Sequence, residues 1–180
     1  MTVSRSEIRI AGAGGQGVVT AGRILAEAAI LSGSSATHSQ VYGPQSRGGT
    51  SRSDVVIATG EIGFPLADAI DLLVVLSTEA FSRYQPELGE HGRLIVDSRC
   101  APIFLNGDAG RFPVVDTARV VSGGHLVTGI VALGVVQALA GVVDADALQR
   151  AVSAGVPARH RDTNLEALRA GMQLVGGETT

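Results

Sequence analysis

A glycine-rich turn between two apolar segments constrains the fold of this chain more than any other feature. Residues 8–19 read IRIAGAGGQGVV, and Gly12, Gly14 and Gly17 form the pattern G-x-G-x-x-G after a predicted strand and before a predicted helix. Glycine lets a backbone approach a phosphate closely, and the free N–H groups at the start of a helix attract an anion. The pattern therefore predicts a phosphate site. Glycines that serve only the close packing of strand against helix are the alternative.

The rest of the chain reads as alternating strands and helices, followed by a helical last third. Strands are expected at 7–11, 35–40, 53–58, 71–76 and 93–97, and helices at 17–31 and 79–88, with Gly33 closing the first helix. Asp144 is expected to cap a helix that runs to residue 154. Thr163 and Glu166 form a capping box for a final helix that ends near Gly176.

This order of elements is typical of the α/β class. We predict a Rossmann-like open, mostly parallel sheet that is flanked by helices and followed by a helical C-terminal third. No internal repeat or long linker divides the chain, so residues 1–180 are expected to form a single domain.

Composition excludes several classes of protein. The net charge is −3 and aromatic residues make up 3% of the chain, so the basic surface and stacking rings of a nucleic-acid binder are missing. The single cysteine, Cys100, cannot form an internal disulfide, a four-cysteine zinc site or an iron–sulfur cluster. The first ten residues lack the apolar core of a signal peptide, which favours a cytoplasmic location.

An uncharged apolar segment at residues 126–143, LVTGIVALGVVQALAGVV, has to be tested as a membrane span. It just reaches the minimum of about 18 residues, but no basic flank or Trp/Tyr belt accompanies it, so we expect a helix that is buried on most sides, or half-buried and covered by a partner. Such a helix would expose much apolar area on a free monomer, which predicts a contact surface used for homodimerisation within a larger assembly. Gly129, Gly134 and Gly141 would let another backbone approach it.

The residues after the second predicted strand argue against a dinucleotide. A ribose-binding acid is expected about 20 residues after the glycine-rich turn, but residues 34–45, SSATHSQVYGPQ, contain none. The loop at residues 42–55 instead places Arg47 beside two glycines, with the hydroxyls of Ser46 and Thr50 nearby. Both loops would lie at one edge of the sheet and could form an anion site. A loop made rigid for a subunit contact is the open alternative.

Two segments together resemble one protein family. Residues 12–29, GAGGQGVVTAGRILAEAA, and residues 39–58, SQVYGPQSRGGTSRSDVVIA, are similar to the gamma subunit, or gamma domain, of 2-oxoacid:ferredoxin (acceptor) oxidoreductases, such as the 2-oxoglutarate and pyruvate enzymes. The resemblance implies a complex that converts a 2-oxoacid and coenzyme A to an acyl-CoA and CO2. It further implies that this subunit contributes to coenzyme A binding and to assembly. The residues expected to face the coenzyme A phosphates are Gly12, Gly14, Gly15, Gln16 and Gly17, and Arg47 would pair with one phosphate.

The same resemblance implies a division of labour between subunits. Thiamine diphosphate, Mg²⁺ and iron–sulfur clusters are expected on alpha, beta and possibly delta partners, which pass electrons to ferredoxin or another acceptor. This chain would bind none of them and would not be catalytic alone. The chain departs from its relatives at the start of the uncharged helix, where Gly129 replaces an asparagine and Thr128 is the candidate substitute. A purely structural scaffold subunit and a stand-alone Rossmann-like nucleotide-binding protein are the alternatives.

Overall fold

One open sheet of six strands forms the centre of the computed structural model, which describes residues 5–41, 49–100, 109–124 and 126–176. The strands are β1 (Arg5–Ala13), β2 (Ser35–Val41), β3 (Thr50–Ala58), β4 (Ile70–Val75), β5 (Leu88–Asp97) and β6 (Ala109–Phe112). The helices are α1 (Val18–Leu31), α2 (Thr78–Tyr84), α3 (Val114–Ser122), α4 (Thr128–Ala140), α5 (Ala145–Gly155) and α6 (Arg161–Gly176). The predicted α/β class with a helical C-terminal third is confirmed.

The strands lie in the order β2–β3–β1–β4–β5–β6. The pairs β1–β4, β4–β5 and β5–β6 are parallel, whereas β3 runs antiparallel to both β2 and β1. The sheet is therefore mixed, with parallel pairs in the majority as predicted. β3 lies between β2 and β1 and runs antiparallel to both, so β2 points in the same direction as β1. The ends of β1 and β2 consequently lie at the same edge of the sheet.

The central strands are buried on both faces, which explains their runs of β-branched residues and leucine. On one face, Ile10 and Val55 pack beneath a layer formed by α1 and the C-terminal helices. On the other face, Leu73 and Val96 pack against Tyr84 from α2. Most of the apolar core thus lies between the sheet and the helix layer that contains α1.

The surroundings of α4 correct one prediction. Every residue from Thr128 to Val136 is buried. α6 lies so close that a Cβ on Gly134 would overlap the Leu168 carbonyl oxygen and lie 2.8 Å from the Cα of Gly171. Small residues do let a backbone approach, but that backbone belongs to the same chain, so an apolar contact surface for a partner is not found along this helix. No helix within the described ranges is long and apolar enough to span a membrane.

The ends of the helices test the predicted caps. The Asp144 carboxylate accepts a hydrogen bond from the Ala147 N–H at 2.8 Å, and Gly33 has a φ of +85°, so these two caps are confirmed. The predicted Thr163 cap is wrong because α6 begins at Arg161. A 3₁₀ turn over Ala158–His160 leads directly into α6 and places Thr163 in its first turn.

Three further elements, α2, β5 and β6, differ from the prediction. The helix expected at residues 79–88 ends at Tyr84 and continues as a 3₁₀ turn that contains Pro86, whose ring and missing N–H do not suit a helix interior. β5 therefore begins at Leu88, five residues before the predicted start at 93. The four-residue strand β6 was not predicted, because so short a segment carries too little periodicity to be recognised.

Candidate functional site

The glycine-rich turn connects the end of β1 to the start of α1, as predicted. Gly17 precedes the first residue of α1 with a φ of +73°, a left-handed conformation that favours glycine. Gly14 and Gly15 are exposed at the tip, whereas Gly12 is buried at the end of β1. The tip therefore presents backbone groups to solvent without side chains in front of them.

Gln16 holds the turn in shape from inside. Its side chain is buried, with Oε1 accepting a hydrogen bond from the Ala13 N–H at 2.7 Å and Nε2 donating to the Leu76 carbonyl oxygen at 2.9 Å. These two bonds tie the turn to itself and to the segment that follows β4. A Cβ on Gly12 would overlap Gln16 Oε1, so the glycine at position 12 makes room for this side chain.

The inner side of the turn packs against the start of α4. The Gly129 N–H donates to the Gln16 carbonyl oxygen at 2.8 Å, and a Cβ on Gly129 would lie only 2.6 Å from the Gly17 carbonyl oxygen. A side chain at position 129 would therefore displace the turn. Thr128 is fully buried beside it, so its hydroxyl is not presented to solvent.

The outer side of the turn carries backbone donors without partners. Among the residues that the structure describes, no group accepts a hydrogen bond from the N–H of Gly15, Gly17, Val18, Val19 or Thr20. The first turn of α1 contains no acidic residue and has no side-chain cap. The first turn of α1 therefore does not neutralise the positive end of the helix dipole, and such an end favours an anion.

The segment that leads into β3 contacts the glycine-rich turn. The Gly14 N–H donates to the Gly49 carbonyl oxygen at 3.3 Å, so the segment that leads into β3 touches the tip of the glycine-rich turn. The described end of the second loop, Gly49, therefore lies at the same edge of the sheet as the glycine-rich turn. Arg47 falls at residues 42–48, outside the described residues, so its pairing with an anion stays a prediction.

Sequence reasoning missed one cation at this edge. Arg83, an exposed residue of α2, lies with Nη1 3.4 Å from the Thr50 Oγ1, and Thr50 pairs with Ala13 at the end of β1. Arg83 is remote from both glycine motifs in the chain. No local pattern could have connected it to them.

A buried ion cluster lies beneath this edge on the α2 side of the sheet. The Arg9 guanidinium donates to both carboxylate oxygens of Asp54, at 2.7 and 3.0 Å, and to Glu87. Burial lowers the pKa of Arg9, but the hydrogen bonds and charges of Asp54 and Glu87 outweigh burial and raise it above its ordinary value. These ion pairs connect β1 to β3 and to the 3₁₀ turn before β5, so the three charges have a structural role.

Neither a metal site nor a reactive thiol is evident in the described part of the chain. Groups of three or more His, Cys, Asp or Glu side chains that could hold a metal ion are absent from these residues. Burial raises the pKa of the Cys100 thiol to about 11, so this cysteine remains protonated and unreactive near neutral pH.

A mixed sheet flanked by helices, with a glycine-rich turn between β1 and α1 and a helical C-terminal third, places the chain in the Rossmann-like α/β class. Comparison with known proteins gives the family. The family model described as pyruvate ferredoxin/flavodoxin oxidoreductase matches residues 7–174, and the chain belongs to this family. The resemblance that the sequence motifs indicated is confirmed.

Individual relatives agree with this assignment. The 2-oxoglutarate synthase subunit KorC of Methanothermobacter thermautotrophicus is 38% identical over 180 residues, which cover 95% of each chain. The crystal structure of a keto/oxoacid ferredoxin oxidoreductase gamma subunit from Geobacter sulfurreducens is similar with a TM-score of 0.84 and 38% identity, over 98% of this chain and 99% of that one.

A more distant structure shares the fold. The 2-oxoglutarate:ferredoxin oxidoreductase from Magnetococcus marinus, solved with 2-oxoglutarate, coenzyme A and succinyl-CoA bound, is similar with a TM-score of 0.85. The match covers 98% of this chain and 32% of that one at 20% identity. The same fold therefore also occurs as one part of a longer chain.

Proposed function

We propose that this gamma-type subunit contributes to coenzyme A binding in a thiamine-diphosphate-dependent 2-oxoacid:ferredoxin (acceptor) oxidoreductase. The observation that carries the proposal is the start of α1, where five backbone N–H groups lack a partner within the described chain and the first helical turn contains no acidic residue. A diphosphate can accept several of these hydrogen bonds at once. The bound coenzyme A of the Magnetococcus enzyme is consistent with this ligand class.

The residues of the proposed site divide into two groups. Gly15 and Gly17 present N–H groups to the phosphates, and Gly14 keeps the tip free of a side chain. Arg47, in the loop that ends at Gly49, supplies a positive charge beside them. This division assigns contact with the ligand to only part of the glycine motif.

The remaining residues of the predicted site support the turn from its buried side. Gln16 and Gly12 fix the shape of the turn, and Thr128 supports it from the start of α4. Because all three residues are buried, we assign them a supporting role and not a contact with the phosphates.

The chemistry belongs to partner subunits in this proposal. Alpha, beta and possibly delta subunits hold thiamine diphosphate, Mg²⁺ and the iron–sulfur clusters and reduce ferredoxin or another acceptor, and two copies of this chain meet within the assembly. The KorC relatives favour 2-oxoglutarate as the 2-oxoacid, with pyruvate as the other candidate. Coenzyme A held here by its phosphates keeps its thiol end free to reach the acyl group on the partners.

A scaffold subunit without a ligand is the second candidate function. It is favoured by the fact that packing alone accounts for Gly12, Gln16 and Gly129. In that account the free N–H groups at the start of α1 are hydrated, as they are at most helix starts, and bind no ligand. A stand-alone nucleotide-binding protein is less consistent with the KorC and gamma-subunit relatives.

Replacing Arg47 in the assembled complex separates these functions. A hydrogen bond to a charged group contributes about 1.5–3 kcal/mol. Arg47→Ala should therefore raise the Michaelis constant for coenzyme A roughly tenfold to a hundredfold, at about 1.4 kcal/mol per decade. The constant for the 2-oxoacid should barely change, because partner subunits bind that substrate.

The matched control is Arg169→Ala, which removes an exposed arginine of α6. Both constants are measured on complex of verified stoichiometry. A scaffold role predicts weaker assembly with an unchanged coenzyme A constant in whatever complex forms, and that outcome would refute the proposed site.

A further inference from the structure

One edge of the sheet is formed by β2, and no strand of the described residues pairs with its outer side. A free edge presents N–H and C=O groups that can pair with another chain, and proteins protect such edges by short length, charge, proline or a bulge. The seven residues of β2, SATHSQV, contain no acid, lysine, arginine or proline, and their register with β3 is continuous. The strand at the opposite edge, β6, has only four residues and includes Arg111. β2 therefore lacks the devices that protect an edge from pairing.

An exposed apolar residue ends β2. Val41 is 43% exposed and lies opposite Arg52 of β3. The Arg52 guanidinium lies over the ring of Tyr84 in α2, 5.7 Å from its centroid. Because residues opposite each other in an antiparallel pair share a face of the sheet, Val41 lies on the α2 face.

A second exposed apolar group lies on the same face, in the loop between β3 and β4. Phe64 and Leu66 are 54% and 52% exposed, and we call residues 64–66 the apolar loop. Its backbone is held in place, because the Phe64 and Leu66 carbonyl oxygens accept hydrogen bonds from the Arg5 guanidinium at 3.1 and 3.3 Å. The Pro65 carbonyl oxygen accepts a hydrogen bond from the Thr37 Oγ1 at 2.6 Å. Thr37 is four positions before the last residue of β2 and so shares its face, which places the apolar loop over the first half of the strand.

We propose that β2 pairs antiparallel with β2 of a second copy of this chain, so that the two sheets join at this edge. Pairing all seven residues puts the two-fold axis at His38, the middle residue, and Ser35 of one copy opposite Val41 of the other. Ser35 is two positions, about 7 Å, from Thr37, which holds the apolar loop. The symmetry therefore brings Val41 of each copy beside the apolar loop of the other copy.

This match between the two ends of one strand selects a second copy as the partner, because an isologous contact uses the same surface on both subunits. The inference rests on the proposed function in one respect, namely that two copies of this chain meet within the assembly. It adds the surface through which they meet.

A pair of cysteines tests the arrangement in the purified full chain. In the double variant Ser35→Cys/Val41→Cys, the two cysteines of one copy lie six positions apart on a strand, about 20 Å, which no disulfide spans. Across the proposed interface, each faces the other cysteine of the second copy with about 4.5–5.5 Å between Cα atoms, which a disulfide does span. Mild oxidation should give a covalent dimer of the double variant and of neither single variant. Cys100 is buried and does not compete.

Sedimentation equilibrium of the unaltered chain measures the association without any substitution, and we expect a monomer–dimer equilibrium. Val41→Lys should raise its dissociation constant at least about tenfold, because a charge on an edge strand opposes pairing and the apolar loop would have to cover it. Val120→Lys is the matched control, because it replaces an exposed valine of α3 remote from β2, and it should leave the constant unchanged.

The outcomes separate this inference from the proposed function. A chain that stays monomeric at every concentration would overturn pairing through β2. A dimer that forms no covalent product in the double variant would also overturn it, while leaving intact the proposal that two copies meet. The coenzyme A site fails separately, through an unchanged coenzyme A constant in Arg47→Ala, because neither Ser35 nor Val41 belongs to that site.

Discussion

Removing the Gln16 side chain should destabilise the whole fold, although this residue belongs to a motif that resembles a ligand site. Gln16→Ala breaks the hydrogen bonds to the Ala13 N–H and the Leu76 carbonyl oxygen, at 2.7 and 2.9 Å. A buried polar group left without a partner costs about 1–3 kcal/mol. Ala13 is half-buried and can recover part of its loss from water, so we expect the free energy of unfolding to fall by about 2–4 kcal/mol.

Urea unfolding of the purified chain measures this change, followed by circular dichroism. Gln173→Ala on the exposed side of α6 is the matched control and should lie within about 0.5 kcal/mol of the unaltered chain. Gln16→Glu keeps the acceptor for Ala13 but turns a second carboxylate oxygen towards the Leu76 carbonyl, so it should also destabilise the fold. A loss of less than about 0.5 kcal/mol in Gln16→Ala would refute the conclusion that Gln16 holds the turn in shape.

Two further predictions concern packing and pH. Gly134→Ala should destabilise the chain by about 1–3 kcal/mol, because its Cβ would push α6 away from α4. Gly176→Ala, whose Cβ meets no neighbour among the described residues, is the control, and equal effects of the two substitutions would contradict the packing. Burial and the charge of Arg23 lower the pKa of His38 below its unfolded value of 6.5. The neutral ring is thus favoured in the folded chain, so its contribution is complete above pH 6.5 and is lost as the pH falls through the folded-state pKa. Unfolding curves of His38→Gln should be less sensitive to acid over this range, and an equal sensitivity would count against the assignment.

The sequence predicted those parts of the fold that depend on local patterns. The strand, glycine turn and helix at the start of the chain were recognised from apolar runs and glycine spacing, and Asp144 was recognised as a cap from its position before a periodic segment. The start of α6 was misplaced by three residues, because a capping box at Thr163 predicts a helix from residue 164 and does not reveal the 3₁₀ turn that leads into α6 at Arg161.

The position of the candidate site could be predicted from the sequence, but the roles of its individual residues could not. Motif spacing put both loops at one edge of the sheet, which the contact between Gly14 and Gly49 supports. That Gln16 points inward, and that Gly129 must lack a side chain, follow from the approach of α4 to the turn. Contacts between segments this far apart in the chain leave no local pattern.

The absence of a local pattern for contacts between distant segments also explains why a partner surface was predicted for the uncharged helix α4. Its composition correctly indicated burial and close approach of another backbone. Whether α6 or a second molecule supplies that backbone depends on the fold of the last third of the chain.

A charge placed at Gly14 tests the central claim most directly. Among the described residues, a Cβ at this position meets only the Gly49 carbonyl oxygen, at 4.0 Å, so the described part of the turn accommodates a side chain. Gly14→Asp and Gly14→Asn have nearly the same shape and differ by one negative charge beside the free N–H groups. In the assembled complex, Gly14→Asp should raise the Michaelis constant for coenzyme A at least tenfold above that of Gly14→Asn, which corresponds to about 1.4 kcal/mol, while the constant for the 2-oxoacid stays the same. Equal coenzyme A constants in the two variants would contradict an anion site at the glycine-rich turn.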